Sequence, residues 1–212
     1  MKPLADCKLY AFVDTAYLRG RAPELVAQQL CKGGADLIQL RAKTSTLDEV
    51  RRMAEVILPI TLRAGVGLVI NDHLLIAREV GAGFCHLGQE DFFDAGHIHV
   101  SEIRDTNSAV RIGLSTHAPA HAERALAAGA DYIAIGPVYA TGTKPTARPV
   151  TLEYVRWAAA NVNLPWFAIG GINLDNLDEV LNAGARRICV VSAILNAADV
   201  AQACAEFRRR LP

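Results

Sequence analysis

The sequence has little of what marks nucleic-acid-binding, membrane or secreted proteins. Its charges balance, with 22 Lys plus Arg against 22 Asp plus Glu, so no net charge favours a nucleic acid or a membrane surface. The longest apolar runs have the length of strands, too short for a membrane-spanning helix. The opening residues MKPLADCKLYAFVD lack the apolar region of a secretion signal. We therefore expect no nucleic-acid or membrane partner, and any anion site must be built locally.

Paired cysteines are also missing. The five cysteines form no CxxC motif and their number is odd, which argues against a disulfide framework or a zinc site. Cys85 and Cys189 lie inside apolar runs, where a small buried thiol is the ordinary interpretation. We expect free thiols and a cytoplasmic location.

Short apolar runs are abundant, and they alternate with longer Ala- and Leu-rich segments. Eight runs have the length and composition of strands: 9–14, 37–41, 67–72, 84–88, 111–116, 132–136, 166–171 and 188–194. Nearly continuous apolar strands separated by helix-like segments indicate parallel strands covered by helices. This alternation predicts an α/β protein, a single (β/α)₈ or TIM barrel domain over residues 1–212.

A weak internal repeat supports the barrel. Gly-Ala followed by an apolar strand recurs at 34–40, 81–88, 129–136 and 184–191, at intervals of about two strand–helix units. The alternative fold is an open doubly wound sheet. No GxGxxG motif follows the first strand, where a dinucleotide-binding fold would carry it, so the barrel is favoured.

Polar residues gather at the carboxyl ends of the predicted strands, where barrels place their chemistry. Arg41 and Lys43 follow strand 2, and Lys144 lies in the loop after strand 6. Asn71 and Ser115 add an amide and a hydroxyl at strands 3 and 5. Because these side chains would share one rim, they predict a site for a highly charged anion such as a diphosphate.

Two further sets stand on the same predicted rim. Asp72 and Asp91 are carboxylates from adjacent strands, which suits a Mg²⁺ ion held by two protein oxygens. Gly170, Gly171 and Ser192 close strands 7 and 8, where barrels often bind a monophosphate on backbone amides. The three sets together predict an active site that binds phosphate groups.

Several polar residues have simpler interpretations when taken singly. Asp72 is equally consistent with a helix N-cap. His86, inside strand 4, reads as a core histidine, and His117 reads equally as the start of a helix. Asp14, at the end of strand 1, reads as a turn residue.

The strings IQLRAK, INDH, HLGQED, GLSTH, GPVYATGTK, AIGGI and VVSAI, in this order, resemble the thiamine-phosphate synthase family. The resemblance covers roughly residues 9–210. It implies a barrel transferase with Mg²⁺ as cofactor. The implied reaction joins 4-amino-2-methyl-5-hydroxymethylpyrimidine diphosphate to 4-methyl-5-(2-hydroxyethyl)thiazole phosphate, giving thiamine phosphate and diphosphate.

The resemblance also implies a role for each matching residue. Pyrimidine diphosphate contacts fall on Gln39, Arg41, Lys43, Asn71, Ser115 and Lys144. Thiazole phosphate contacts fall on Thr141, Thr143, Gly171, Val191 and Ser192, and Mg²⁺ ligands on Asp72 and Asp91. The expected catalytic residues are Arg41, Lys43, Ser115 and Lys144.

Two alternatives stay open. A thiazole tautomerase of the same family would be an isomerase, but it binds no diphosphate and needs no Mg²⁺. A non-catalytic barrel that binds a phosphorylated ligand is the other alternative. Assembly of identical chains is also left open, and the segment from residue 92 to 110 looks longer and less regular than the family pattern.

Overall fold

The computed structural model describes residues 2–105, 109–142 and 148–212. Eight parallel strands close into a barrel in chain order, so the predicted (β/α)₈ fold is confirmed. The strands are β1 Leu9–Asp14, β2 Leu37–Arg41, β3 Gly67–Asn71, β4 Phe84–Leu87, β5 Arg111–Thr116, β6 Tyr132–Ile135, β7 Trp166–Ile169 and β8 Ile188–Cys189. The helices are α1 Pro23–Lys32, α2 Leu47–Ala64, α3 Leu74–Val80, α4 Gln89–Asp94, α5 Pro119–Ala127, α6 Thr151–Asn161, α7 Leu177–Asn182, α8 Ser192–Leu195 and α9 Val200–Arg210.

The last two predicted strands extend too far. β7 ends at Ile169, because Gly170 and Gly171 have φ of 104° and 67°, values that leave the extended conformation. β8 ends at Cys189, and the rest of the predicted run from 188 to 194 turns into helix α8. A short apolar run cannot distinguish a buried strand from a buried helical turn, and here one run contains both.

The longest helix, α2, is defined by local signals at both ends. Thr46 and Glu49 form a capping box, in which the Thr46 hydroxyl accepts from the Glu49 N–H and the Glu49 carboxylate accepts from the Thr46 N–H. Gly65 ends the helix in the left-handed conformation, with φ of 68°. The buried face between these ends packs against α1, α3 and β3. Such signals fix where a helix begins and ends before any tertiary contact forms.

In two copies of the Gly-Ala repeat, the aspartate that follows binds the backbone of a neighbouring strand at the amino-terminal end of the barrel. Asp36, just before β2, is buried and accepts hydrogen bonds from the backbone N–H groups of Lys8 and Leu9 at 2.8 and 3.1 Å. Its other oxygen lies 2.6 Å from the Lys2 ammonium. Asp131, just before β6, likewise accepts from the Ile112 N–H at 2.7 Å. In both places a carboxylate therefore fastens the start of one strand to the strand before it.

Aromatic side chains fill the barrel interior. Tyr10 lies at its centre, with ring centroids 6.3 Å from Tyr132 and 5.4 Å from Phe167, both at edge-to-face angles. Gly113 makes room for Tyr132, because a Cβ placed on Gly113 would lie 2.2 Å from the phenol ring. These rings form a packed floor below the carboxyl ends of the strands.

All five cysteines are free. Burial raises the pKa of the Cys85 thiol to about 12 and that of Cys7 to about 11, so these thiols stay protonated at neutral pH. No helix in the described part of the chain has the length and apolar character needed to cross a membrane.

Candidate active site

A cleft opens at the carboxyl ends of the strands, with a volume of about 1060 Å³ that includes solvent at its mouth. The predicted site residues within the described chain all line this cleft: Gln39, Arg41, Lys43, Asn71, Asp72, Asp91, Ser115, Thr141, Gly170, Gly171, Val191 and Ser192. Two further predicted residues, Thr143 and Lys144, lie outside the described residues. The rim inferred from strand ends is therefore a single concave surface.

The cations at the end of β2 and just after it are each placed beside a carboxylate. Arg41 Nη1 donates to Asp14 Oδ2 at 2.8 Å, across the strand pair in which Asp14 and Arg41 are register partners. Lys43 Nζ lies 2.5 Å from Asp72 Oδ2 at the next strand end. Both cations line the cleft, so each meets a ligand with its position already restricted by an acidic partner.

Asp72 has an unusual backbone. Its φ is 65°, in the left-handed region, immediately after β3 ends at Asn71. Its N–H donates to the His86 carbonyl at 2.9 Å, which extends the β3–β4 pairing by one bond. Asp and Asn adopt this conformation more readily than most other side chains. The turn aims Asp72 into the cleft instead of onto the helix that follows, so the N-cap interpretation is wrong, and His73 occupies the cap position.

Asp91 lies in the first turn of α4, not in an extended strand end. Its Oδ2 stands close over Gly88, where a Cβ would approach it to 2.5 Å. Ser115 supports the same turn, because its hydroxyl accepts from the Gln89 N–H at 3.2 Å. The short helix and β5 together therefore hold the second carboxylate at the rim.

The donor set suits a hard divalent cation. Asp72 and Asp91 supply carboxylate oxygens, which Mg²⁺ prefers, with the remaining ligands usually coming from phosphate and water. In the described part of the chain, no group of three or more His, Cys, Asp or Glu side chains could hold a metal by itself. A cation here would take its remaining ligands from phosphate and water.

The strand 6 loop is fastened to the end of β7. Val138 N–H donates to the Ile169 carbonyl at 2.8 Å, and Tyr139 N–H donates to the Gly170 carbonyl at 3.0 Å. A side chain at Gly171 would lie 2.7 Å from the Ala140 carbonyl oxygen, so only glycine allows this approach. Thr141 is therefore positioned beside Gly171 and Ser192 on one wall of the cleft.

A family model described as thiamine monophosphate synthase matches residues 9–194. The chain belongs to the thiamine monophosphate synthase family. The expectation drawn from its strings is confirmed, and membership makes the chain a transferase.

Relatives in the thiamine monophosphate synthase family are similar over most of their length. The thiamine-phosphate synthase of Thermus thermophilus is 46% identical over 180 residues, 84% of each chain. That of Acidothermus cellulolyticus is 43% identical over 211 residues, covering 98% of this chain and 96% of the relative.

Solved structures agree with the family assignment. The thiamine phosphate pyrophosphorylase of Pyrococcus furiosus matches with a TM-score of 0.85 at 30% identity, covering 97% of this chain and 96% of that one. A 3-hexulose-6-phosphate synthase matches with a TM-score of 0.65 at 18% identity, a likeness of fold alone.

The sequence analysis did not predict several residues that line the cleft. Tyr10 and Phe12 line the floor, and the Gln39 amide donates to the Tyr10 hydroxyl. The period of two along β1 was the available signal, because Tyr10, Phe12 and Asp14 share one face of the strand.

Two histidines and a glutamate also line the cleft. His86 is buried, as predicted for a core histidine, and its ring centroid lies 5.7 Å from that of Tyr132, yet it also lines the cleft. His117 connects the strand 6 loop to α4: its Nδ1 donates to the Gly136 carbonyl, and its Nε2 lies 3.7 Å from Glu90 Oε1. Because α5 begins only at Pro119, His117 belongs to the cleft wall and not to the helix.

Proposed function

We propose that this chain joins the aminopyrimidine diphosphate to the thiazole phosphate, releasing diphosphate and forming thiamine phosphate. The observation that carries the proposal is that one cleft is shared by the cations Arg41 and Lys43, the carboxylates Asp72 and Asp91, and the Gly170–Gly171 wall. Two phosphorylated substrates that react with each other need two anion sites that face a common space. Membership of the family supports the same conclusion.

Arg41, Lys43, Asn71 and Ser115 would bind the diphosphate. Negative charge builds on the leaving oxygens as the bond from the pyrimidine methylene breaks, and positioned cations and donors stabilise that charge more strongly than they stabilise the substrate. Arg41 is already restricted by Asp14, so the guanidinium needs little reorganisation during the reaction. Gln39, fixed by Tyr10, would hold the pyrimidine above the aromatic floor.

Asp72 and Asp91 would hold Mg²⁺. When bound, the ion would neutralise diphosphate charge in the ground state and during departure of the leaving group. Lys43 lies on Asp72, so a cation at this carboxylate would compete with Lys43 for it and free the ammonium for the diphosphate.

The thiazole phosphate would lie against the wall formed by Thr141, Gly171, Val191 and Ser192. Thr143 and Lys144 are assigned by resemblance to the thiazole phosphate and to the leaving group, and these roles stay proposals. The thiazole nitrogen carries no proton when it attacks, so the reaction requires no general base. We also propose that residues 1–212 act as one domain in the cytoplasm, where the five free thiols would remain reduced.

The test incubates the protein with both phosphorylated substrates, in Mg²⁺ or in EDTA, and follows thiamine phosphate after its oxidation to fluorescent thiochrome. We expect product with Mg²⁺ and none with EDTA. Product formed equally well in EDTA would contradict the metal assignment. Binding of the thiazole phosphate without any product would contradict the proposed reaction and favour the tautomerase or the non-catalytic barrel.

A further inference from the structure

We infer that Asp14 is a positioning residue for diphosphate binding, acting through Arg41. The inference rests on the proposed function, which assigns Arg41 to the diphosphate. Asp14 is 1% exposed and does not belong to the described residues that line the cleft. It would therefore touch no substrate, and its effect on binding would pass through the guanidinium alone.

The strand register places the pair. β1 and β2 are parallel, and Asp14 and Arg41 are the last register partners at their carboxyl ends. Both side chains share the face of Tyr10 and Gln39, which lines the barrel interior. Arg41 consequently crosses from the strand to the cleft directly above the carboxylate that it bonds.

The two oxygens of Asp14 have separate tasks. Oδ1 accepts from the Ala16 N–H at 3.0 Å and caps the short helical turn Thr15–Tyr17, whereas Oδ2 accepts from Arg41 Nη1 at 2.8 Å. The cap holds the carboxylate in one rotamer, and the carboxylate in turn holds the guanidinium. An anchor that is itself fixed can restrict a long side chain, and an arginine carries a large rotamer entropy.

The Arg41 guanidinium has further N–H groups, beyond the one bonded to Asp14, that can donate to a ligand. It has five N–H groups in a rigid fork, and the bond to Asp14 engages one end of that fork. The Arg41 side chain is 15% exposed and lines the cleft, so the remaining donors can face a diphosphate oxygen. A lysine in this position would have to divide one ammonium between the carboxylate and the ligand.

The experiment measures binding of inorganic diphosphate, with Mg²⁺, by isothermal titration to the wild type, Asp14→Asn, Arg41→Met and the double variant. Asp14→Asn keeps an oxygen that can accept from Ala16 and removes both the charge and the acceptor that faces Arg41. We expect each single variant to weaken Kd about tenfold, and the double variant to bind like Arg41→Met alone. In turnover, Asp14→Asn should raise the KM for the pyrimidine diphosphate and leave the KM for the thiazole phosphate unchanged.

Asp36→Asn is the matched control, because Asp36 is a buried, ion-paired carboxylate beside the same two strands at the opposite end of the barrel. We expect it to lower the melting temperature and to leave diphosphate affinity within about twofold of the wild type. If it weakened diphosphate binding as much as Asp14→Asn does, general loosening would explain both results and the inference would be wrong.

Three other results would overturn the inference: unchanged or tighter diphosphate binding by Asp14→Asn, additive effects in the double variant, or wild-type binding by Arg41→Lys. If Asp14→Asn does not fold, wild-type binding by Arg41→Lys would still contradict the inference. A wild-type protein that binds diphosphate but forms no thiamine phosphate would contradict the proposed reaction only. The titrations would still decide the role of Asp14.

Discussion

Two of the three carboxylates on α4 offer a test of the metal assignment within one short helix. Asp91 and Asp94 are both exposed, but only Asp91 belongs to the described lining of the cleft. We expect Asp91→Ala to lower Mg²⁺-dependent turnover about hundredfold or more, because a metal ligand is lost. Asp94→Ala should leave turnover within about twofold. Steady-state rates against Mg²⁺ concentration measure both, and equal effects would reject Asp91 as a ligand.

Gly88 leaves the space that the Asp91 carboxylate occupies. Its φ of −62° suits alanine, but the added Cβ would lie 2.5 Å from Asp91 Oδ2 and push the carboxylate aside. Gly88→Ala should therefore raise the Mg²⁺ concentration for half-maximal turnover about tenfold and leave the melting temperature nearly unchanged. The effect should vanish when Asp91 is already alanine. Persistence in that background would mean that Gly88 acts on something else.

For single residues of the site, the sequence predicted which residue types are present but not which partners they bind. Arg41, Asp72 and Ser115 stood out because polar side chains follow apolar strands. Asp14 read as a turn residue because its importance depends on the β1–β2 register, and a single sequence does not carry that register. His86 is buried as predicted, but the pattern of β4 does not show that the cleft reaches down to it.

Among the elements, the contact of β5 with β6 leaves no room for a larger side chain at Gly113. A Cβ on Gly113 would overlap the Tyr132 ring, whose centroid is also 6.2 Å from that of Phe84 and 6.1 Å from that of Phe167. The ring is enclosed and cannot move freely, so Gly113→Ala should lower the free energy of unfolding by about 1–3 kcal/mol.

Thermal and denaturant unfolding measure this loss, with Gly142→Ala as its control. Among the residues that the structure describes, a Cβ on Gly142 would meet only the Tyr17 hydroxyl, at an ordinary 3.8 Å, so we expect a change within about 0.5 kcal/mol. Equal stability of the two variants would show that the core rearranges around Tyr132.

Element types followed from periodicity, but one boundary did not. The run ICVVSAI contains strand β8 and helix α8, and nothing in its composition separates them. The break comes at Val191, whose φ of −114° and ψ of −85° belong to neither element. Tertiary context sets this change of direction, because β8 pairs with β1 and β7 only over its two residues.

For the molecule as a whole, Asp36 links stability to pH. Burial alone raises the pKa of this carboxyl, but the hydrogen bond from Lys2 and those from the backbone N–H groups of Lys8 and Leu9 outweigh burial and hold the pKa below its usual value. A depressed pKa in the folded state stabilises the fold above the unfolded pKa of about 4, and this contribution is lost as the pH falls below it.

Asp36→Asn should therefore cost about 1–3 kcal/mol of unfolding free energy at neutral pH, a fall in melting temperature of roughly 3–8 °C. The difference from the wild type should shrink as the pH falls from about 5 towards 3, because the wild-type carboxylate becomes protonated. Melting curves across this range provide the measurement. A difference that stays constant with pH would mean that the charge of Asp36 contributes nothing.

The global architecture was the most predictable level. Eight alternations of strand and helix leave few topologies, and right-handed crossovers select a closed parallel barrel. The Gly-Ala-Asp copies at 34–36 and 129–131 were visible as a repeat, but their carboxylate ties to the preceding strands were not, since each joins segments about 20 to 30 residues apart.

The left-handed turn at Asp72 also limits how this site can change in evolution. The backbone there admits Gly, Asn and Asp most readily, whereas the proposed chemistry demands a carboxylate, and aspartate alone meets both conditions. Glutamate would keep the charge but would adopt the left-handed backbone less readily. Asparagine would adopt that backbone but would lose the charge. If the proposed metal role holds, a relative with Asn or Gly at this position could keep the turn and the barrel but would lack this metal ligand.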